Sequence, residues 1–370
     1  MMTRVNSRAR TLLQFGRRRR ASVVVLGREI DARRLFDGAR TITSAELDDS
    51  GNLRGLHDIV VLGGVTPQPS GAWLKRLLSR VGYAVLVEPH GAALGTLPDP
   101  VIERILFQVP DVSCSGGQSS RVNLLRGDLA EPRLRVDDYP TGVRPIASDL
   151  GPLHDVIRSI DAAGAPFHLG IVPALLNSEM QQFLRSLTHL VPVVHGYDHA
   201  YPEKSALLIE RRDPGNARST VGAFNEFAGQ STTEIVRKLR IARSILEDTL
   251  GTAVTGYIPP CNRADRTTGQ ALVELGYSHY FSERRIPGCP LPHFASSFYG
   301  KSSELRPGHL SGTVCLHATW EVDVQKLEDR TSLPRFLRQL LSERAAHEAE
   351  LTRELNGRLR ETDSRGLQTF

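Results

Sequence analysis

The sequence has little cysteine, few aromatic residues and no long apolar segment. Its 370 residues include 4 Cys and no C-x-x-C pair, which excludes a disulfide scaffold and offers neither a zinc knuckle nor a redox motif. No segment reaches the roughly 18 consecutive apolar residues of a membrane-spanning helix. The first 20 residues also lack the apolar stretch of a secretory signal. We therefore expect a soluble, cytoplasmic protein without a transmembrane segment.

Acidic residues are missing from the N-terminal arm, residues 1–20. The arm contains seven Arg and no Asp or Glu, so the formal net charge of +5 for the chain becomes −2 for residues 21–370. The basic character belongs to the arm, and the rest of the chain gives no reason to expect a specific nucleic-acid partner. A solvated, disordered arm is the simplest interpretation. A transit peptide, or a patch that binds RNA or anionic lipid, is the alternative.

A glycine-rich phosphate-binding turn is also absent. Residues 21–120 contain apolar β-type segments at 22–27, 58–64 and 83–89 and a helical apolar stripe at 71–82, and so predict a small α/β domain. The order of these elements resembles the second half of a Rossmann-like methyltransferase. No G-x-G-x-x-G turn is present to hold a cofactor, so a structural or partner-binding domain is the alternative.

A second series of strands and helices follows a turn-rich segment at 121–132, which is predicted to be a linker. Strands are predicted at 133–138, 166–172, 190–195, 254–258, 278–282 and 312–318, and helices at 150–163, 177–187, 231–250 and 266–275. Alternating strands and helices predict a parallel sheet or barrel over 133–325, whose chemistry lies at the carboxyl ends of the strands. Residues 326–370 predict a charged amphipathic helix, which offers a surface for self-association.

Paired histidines and paired acids follow two of these strands. His195 and His199, in VVHGYDH, have a spacing at which two imidazoles face one point and share a metal ion. Asp137 and Asp138, in RVDDYP, are neighbours on a strand and are expected to point to opposite faces, one as a metal ligand and one as a free base. A loop cap is an equal alternative for the acidic pair.

Two later strands also end in distinctive residues. Pro259 and Pro260, in TGYIPPCNR, predict a rigid loop after one strand, and His317, in CLHATWE, closes the last strand. Four such strand ends in one domain predict a shared site.

In this order the motifs resemble those of the polysaccharide deacetylase superfamily (NodB homology, carbohydrate esterase family 4). The segments RVDDYP, HLGIVPALL, VVHGYDH, NEFAG and GYIPPCNR are most similar to its DUF2334-like branch, over residues 133–320. The resemblance implies an α/β fold in which a deacetylase-type distorted (β/α) barrel follows the small Rossmann-like domain. It also implies a zinc-dependent carbohydrate de-N-acetylase, a hydrolase that acts on a linear amide C–N bond.

The resemblance also implies roles for individual residues. Asp138, His195 and His199 would bind one divalent metal, usually Zn²⁺, with Co²⁺, Ni²⁺ or Mn²⁺ as alternatives. Asp137 would be the general base and His317 the general acid. The substrate and oxyanion loop residues would be Pro260, Cys261, Asn262, Arg263, Tyr197 and Trp320. A backbone N–H near Pro260 or Cys261 is the candidate oxyanion donor. For Tyr197 and Trp320, sugar stacking and ordinary packing are equal alternatives.

The chain departs from the family pattern at three places. Gly196 stands where the family has a Ser or Thr whose hydroxyl steadies the metal-binding loop. Ile258 stands where an Arg orients the catalytic Asp, and Arg263 is the candidate replacement. No segment matches the motif that tunes the acid His, for which Glu283 and Glu321 are candidates.

The expected substrate is an N-acetylated sugar, nucleotide sugar or glycolipid. A catalytically silent deacetylase-like binding or scaffold protein is the alternative, and an arm-dependent RNA- or membrane-associated protein is a third. Glu226, in NEFAG, is predicted to contact a metal-bound His or to cap a helix, and His168 is predicted to be a core residue.

Overall fold

The computed structural model divides the chain into two units. Unit 1 comprises residues 1–130 and 345–370, and unit 2 comprises residues 131–344. The structure describes residues 24–26, 40–42, 57–63, 78, 81–89, 105–113, 119–130, 132–141, 149–200, 225–305, 310, 312–327 and 329–366. The basic arm and most of the helix predicted at 71–82 lie outside these residues.

Unit 1 contains a six-stranded mixed sheet of order β2-β1-β3-β4-β6-β5. Its strands are β1 (Val24–Leu26), β2 (Arg40–Ile42), β3 (His57–Gly63), β4 (Val81–Pro89), β5 (Ile105–Ser113) and β6 (Ser119–Arg126). The pairings among β1 to β4 are parallel, whereas β6 runs antiparallel to both β4 and β5. The Rossmann-like character of this unit stays a prediction.

The linker predicted at 121–132 is partly wrong, because residues 121–126 are six of the eight residues of β6. Asn123, Leu124 and Leu125 are all buried. A strand buried on both faces lacks the alternation of polar and apolar residues that marks a half-exposed strand. The sequence of β6 therefore gave no clear strand pattern, and the turn-rich residues before it led to the prediction of a linker.

Unit 2 contains an eight-stranded sheet in which every pairing is parallel, with the order β12-β11-β10-β9-β8-β7-β14-β13. Its strands are β7 (Arg133–Tyr139), β8 (Phe167–Ile171), β9 (Leu190–His195), β10 (Gly256–Ile258), β11 (His279–Phe281), β12 (His293–Phe294), β13 (Ser296–Gly300) and β14 (Thr313–His317). The sheet curves into a nearly closed barrel. The predicted α/β barrel class is therefore confirmed, although β12 and β13 had not been predicted.

The helices contribute an apolar layer to the core of unit 2. They are α1 (Gly151–Asp161), α2 (Ser178–Arg185), α3 (Thr232–Leu250), α4 (Arg266–Glu274), α5 (Ala318–Leu327) and α6 (Ser332–Gly366). The hydroxyl of Ser231 accepts the N–H of Glu234 and caps α3, and α3 ends at Gly251 with a left-handed φ of 62°. Among the described helices, none is both long enough and apolar enough to cross a bilayer.

The C-terminal helix α6 is shared between the two units. Leu333, Phe336 and Leu340 belong to the apolar core of unit 2. Further along, Glu348 accepts two hydrogen bonds of 2.6 Å from Arg126 within unit 1. The boundary between the units therefore follows residue 344 and not residue 325, because the first apolar residues of α6 pack into the core of unit 2. Self-association through this helix stays a prediction.

Strand β7 shows how the sheet prepares the site. Leu134 and Val136 belong to the apolar core. Because successive side chains of a strand point to opposite faces, residues 135 and 137 lie on the other face. That face carries Arg135 and Asp137, which are both buried. A charged pair therefore lies inside the barrel, beneath the carboxyl edge of the sheet.

Candidate active site

Strand register brings the predicted residues to one edge of the sheet. Asp137 of β7 is paired with His317 of β14, although 180 residues separate them along the chain. His195 of β9 is paired in the same way with Ile258 of β10. All four residues lie at or near the carboxyl ends of their strands, which is the edge where the sequence predicts the chemistry.

Asp138, His195 and His199 form a compact cluster of metal-ligand type. One ligand atom from each lies within 4.8 Å of those of the other two. His195 Nε2 lies 3.1 Å from Asp138 Oδ1 and 3.2 Å from His199 Nε2. Two imidazole nitrogens and a carboxylate oxygen that converge in this way are a donor set suited to a divalent metal.

The other nitrogen of His195 fixes the orientation of its ring. Nδ1 lies 3.1 Å from the carbonyl oxygen of Ile258, and a carbonyl only accepts, so Nδ1 donates the hydrogen. Nε2 faces the cluster, where it donates to Asp138 Oδ1 when it carries a proton and would offer its lone pair to a metal when it does not. Burial acts to raise the pKa of Asp138, but its hydrogen bond to His195 and the nearby histidine charges bring the pKa below its ordinary value. Asp138 is therefore an anion.

The backbone turns Asp138 towards this cluster. Register on the β8 side shifts between Val136 and Tyr139, and Asp138 has a φ of 70°. Left-handed backbone is uncommon for a residue with a side chain and costs on the order of 1–3 kcal/mol. The expectation that Asp137 and Asp138 point to opposite faces is therefore wrong, because the irregular backbone brings both carboxylates to one site.

Asp137 is held by Arg135, two residues earlier on the same strand. Arg135 Nε donates to Asp137 Oδ1 at 2.8 Å, and Nη2 donates to Oδ2. Nη2 also donates to Oδ1 of Asn262 at 3.0 Å, which ties the pair to the loop after β10. Burial acts to raise the pKa of Asp137, but the guanidinium of Arg135 brings it below its ordinary value. Asp137 is therefore an oriented carboxylate.

Arg135, and not the predicted Arg263, is the arginine that binds the carboxylate of Asp137. The sequence contained a signal for it, because residues i and i+2 on a strand share a face and RVD has this spacing. The backbone N–H of Arg263 donates to the carbonyl oxygen of Pro260 at 3.0 Å, within the turn after β10.

We expect Arg135→Met to reduce the free energy of unfolding by about 3–5 kcal/mol, because Asp137 would stay buried without its cation. Urea unfolding of the single variant and of Arg135→Met/Asp137→Asn would measure this. The double variant should recover much of the loss, since no buried charge remains unpaired. Equal losses in the two variants would contradict the role assigned to the ion pair.

His317 lies among aromatic side chains on the other side of the cluster. Its Nε2 lies 2.8 Å from the hydroxyl of Tyr299 and 3.9 Å from Asp138 Oδ2. The imidazole stacks on Trp320, with ring centroids 3.9 Å apart and an interplanar angle of 18°. Burial holds the pKa of His317 below its ordinary value despite the nearby carboxylates of Asp138 and Asp137.

Glu321 is not the residue that tunes His317. Its carboxylate accepts the backbone N–H of Ser302 at 2.7 Å and the Ser302 hydroxyl at 2.6 Å. Glu283, the other candidate, is exposed. Tyr299 contacts His317 instead, and sequence reasoning missed it because β13, the strand that carries it, was not predicted.

The loop after β10 narrows the choice of oxyanion donor. Pro260 has no N–H, so it is excluded. The N–H of Asn262 donates to Pro259 O at 2.9 Å, and that of Arg263 is also used within the turn. The backbone N–H of Cys261, a residue with a φ of 51°, therefore stays the predicted oxyanion donor.

The remaining predicted residues have distinct surroundings. Tyr197 packs against the apolar core, and Lys238 Nζ lies 5.8 Å from its ring centroid. His168 is buried with Nδ1 3.3 Å from the carbonyl oxygen of Leu134, as expected of a core residue. Glu226 hydrogen-bonds to the backbone between His195 and His199, a contact that sequence reasoning had not anticipated.

Comparison with known proteins gives a distant structural likeness. No protein-family model and no curated protein matches the sequence. The Xyl-CE4 domain of a multidomain xylanase from the hindgut metagenome of Trinervitermes trinervoides is 14% identical, with 57% of this chain and 82% of that chain covered and a TM-score of 0.34. A chitin deacetylase from Colletotrichum lindemuthianum is 15% identical, with 56% and 81% covered and a TM-score of 0.34.

A third similar structure is a family 4 carbohydrate esterase from Streptomyces lividans in complex with acetate. It is 10% identical, with 58% of this chain and 89% of that chain covered and a TM-score of 0.34. These structural neighbours are thus carbohydrate esterases and deacetylases at low identity.

Proposed function

We propose that this chain is a metal-dependent hydrolase that removes an N-acetyl group from a sugar or a sugar-linked molecule. The observation that carries the proposal is the Asp138–His195–His199 cluster, with an Arg-bound carboxylate and a buried imidazole beside it. A site with three protein ligands leaves room for water and substrate, as catalytic zinc sites require.

Asp138, His195 and His199 would hold Zn²⁺, or Co²⁺, Ni²⁺ or Mn²⁺ in its place. A metal bound there would acidify water and polarise the carbonyl of the acetamide. Asp137 accepts the proton of the attacking water, and Arg135 keeps its carboxylate in place. His317 donates a proton to the nitrogen as the C–N bond breaks, so the products are acetate and the free amine.

A carbohydrate substrate is supported by two exposed aromatic residues at the site. Among the described residues, three large hydrophobic side chains are exposed, and two of them, Tyr299 at 38% and Trp320 at 36%, lie beside His317. Their rings meet edge to face with centroids 6.0 Å apart. Amphipathic aromatic groups of this kind suit a sugar ring, which has both C–H faces and hydroxyls.

Trp320→Ala is expected to lower kcat/KM for an N-acetylated aminosugar about two- to tenfold more than for an acyclic N-acetyl amine. The ratio separates sugar stacking from any effect on His317, which both substrates share. Val273→Ala removes the third exposed hydrophobic side chain, on α4, and should leave the ratio unchanged. Equal losses on the two substrates would remove Trp320 from the sugar site.

The proposed reaction is tested by incubating the metal-loaded full chain with N-acetylated oligosaccharides, nucleotide sugars and glycolipids, and measuring acetate release by mass spectrometry. Turnover of at least one class is expected. Metal binding without turnover across the panel would favour the silent binding or scaffold protein. Among the described residues, no contact in the site favours that alternative, because Asp138, His195 and His199 lie together and Asp137 and His317 lie beside them.

The motif order supports placing residues 133–325 in the polysaccharide deacetylase superfamily. The DUF2334-like branch, the choice of Zn²⁺ and the cytoplasmic location stay predictions.

A further inference from the structure

Glu226 is a buried acid that contacts the loop between the two candidate metal-binding histidines. Its side chain is only 2% exposed. Oε1 accepts the backbone N–H of Tyr197 at 2.8 Å and that of Asp198 at 3.1 Å. One oxygen therefore holds two of the three residues that separate His195 from His199.

Gly196, the remaining residue of this loop, leaves the space that Glu226 fills. A Cβ atom at position 196 would lie 2.0 Å from Glu226 Oε2 and 2.6 Å from Pro260 Cγ. Gly196 also has a left-handed φ of 70°, which disfavours any other residue. A side chain at position 196 and the acid at position 226 therefore exclude one another.

The turn that carries Glu226 is itself anchored on both sides. Asn225 donates from Nδ2 to Asp265 Oδ2 at 3.0 Å, and its Oδ1 accepts the N–H of Phe227 at 3.1 Å. Asp265 caps α4, and Phe227 belongs to the apolar core. The acid consequently approaches the loop from a rigid support.

The charge state of Glu226 suits a structural contact. Burial raises its pKa to about 8, so the group is largely protonated at neutral pH. A neutral acid still offers a carbonyl oxygen to two N–H groups. A glutamine side chain offers the same acceptor in nearly the same volume.

We propose that Glu226 is the positioning residue of the metal-binding loop and does the work that a Ser or Thr hydroxyl after the first histidine does in the family this chain resembles. The inference rests on the proposed function in that it assumes a metal at Asp138, His195 and His199. Glu226 acts on the metal through the backbone of residues 197 and 198, which sets the positions of the two imidazoles.

Glu226→Met and Glu226→Gln in the full chain test this role, because both keep the length of the side chain and only Gln keeps the acceptor. Zinc titration by calorimetry should show an affinity about 10–100-fold lower for Met, the loss typical of removing a partner that orients metal ligands. Gln should stay within about threefold of the unmodified protein, since it can accept both N–H groups. The absorption spectrum of bound Co²⁺ should change for Met and be retained for Gln.

Glu321→Met is the matched control, because Glu321 is a second buried acid that bonds to a backbone N–H, that of Ser302, away from the histidine loop. It should lose stability without losing zinc affinity. Glu226→Ala replaces the Met variant if the latter does not fold.

The outcomes separate the two proposals. No zinc binding by the unmodified chain would overturn the proposed function. Zinc binding by the unmodified chain with equal affinity in Glu226→Met would overturn the role of Glu226 alone. Equally weak binding by the Gln and Met variants would also overturn it, because an acceptor at position 226 would then be insufficient.

Discussion

Asp137→Asn is expected to lower kcat on an N-acetylated sugar by about 10²–10⁴-fold, the range typical of losing a general base. An amide cannot take the proton of the attacking water, although it fills the same volume and can still accept a hydrogen bond from Arg135. Zinc content should stay the same, because Asp137 is not one of the three clustered ligands. Initial rates and metal analysis on the same sample measure both quantities.

Asp155→Asn provides the control for this substitution. Asp155 is an exposed acid on α1 that pairs with Arg158 at 3.2 Å on the surface. The same chemical change there should leave kcat unaltered. If Asp137→Asn turned over substrate at the rate of the unmodified protein, the assignment of Asp137 as the base would be wrong.

His195→Ala is expected to abolish stoichiometric zinc binding and, with it, activity. The substitution removes the ring at the centre of the cluster, whose Nε2 contacts both Asp138 and His199. Removing a residue that orients a metal ligand typically lowers metal affinity about 10–100-fold. Removing a ligand itself should lower the affinity for zinc by more than that. Metal analysis after dialysis should fall from about one zinc per chain to a small fraction, as expected for a three-ligand site.

His189→Ala is the matched control, because His189 immediately precedes the same strand, β9, at the opposite edge of the sheet. It should keep its zinc. Retention of one zinc by His195→Ala would place the metal elsewhere and remove the basis of the proposed mechanism.

The clustering of Asp138, His195 and His199 was largely predictable because it depends on where strands end. Parallel strands in one sheet bring their carboxyl ends to the same edge, so polar residues that close apolar segments converge there without further information. His195 and His317 follow this rule because each closes a strand, and His199 lies only four residues beyond His195. Asp138 belongs to the cluster as predicted, but its side chain points there because its backbone is left-handed. The order of the residues does not predict that backbone conformation.

The residues that support the site were harder to foresee. Arg135 was visible in the RVD spacing, but its partner could be recognised only once Asp137 was known to face the barrel interior. Tyr299 reaches His317 because β13 pairs with β14, and strand order is a property of the whole sheet rather than of a segment. Glu226 acts from a turn 27 residues beyond His199, where no periodicity links the two.

The order of the strands has a consequence for how the protein is made. Strand β14 lies between β7 and β13, so the ribosome must release residue 317 before Asp137 and His317 can meet. Unit 1 is completed later still, because it includes residues 345–370 together with the first 130. Domains generally fold as they emerge, beginning with the N-terminal one. Here the first unit to leave the ribosome is the last to receive all of its residues, because the strands of its sheet end at Arg126 but its segment 345–370 is made last.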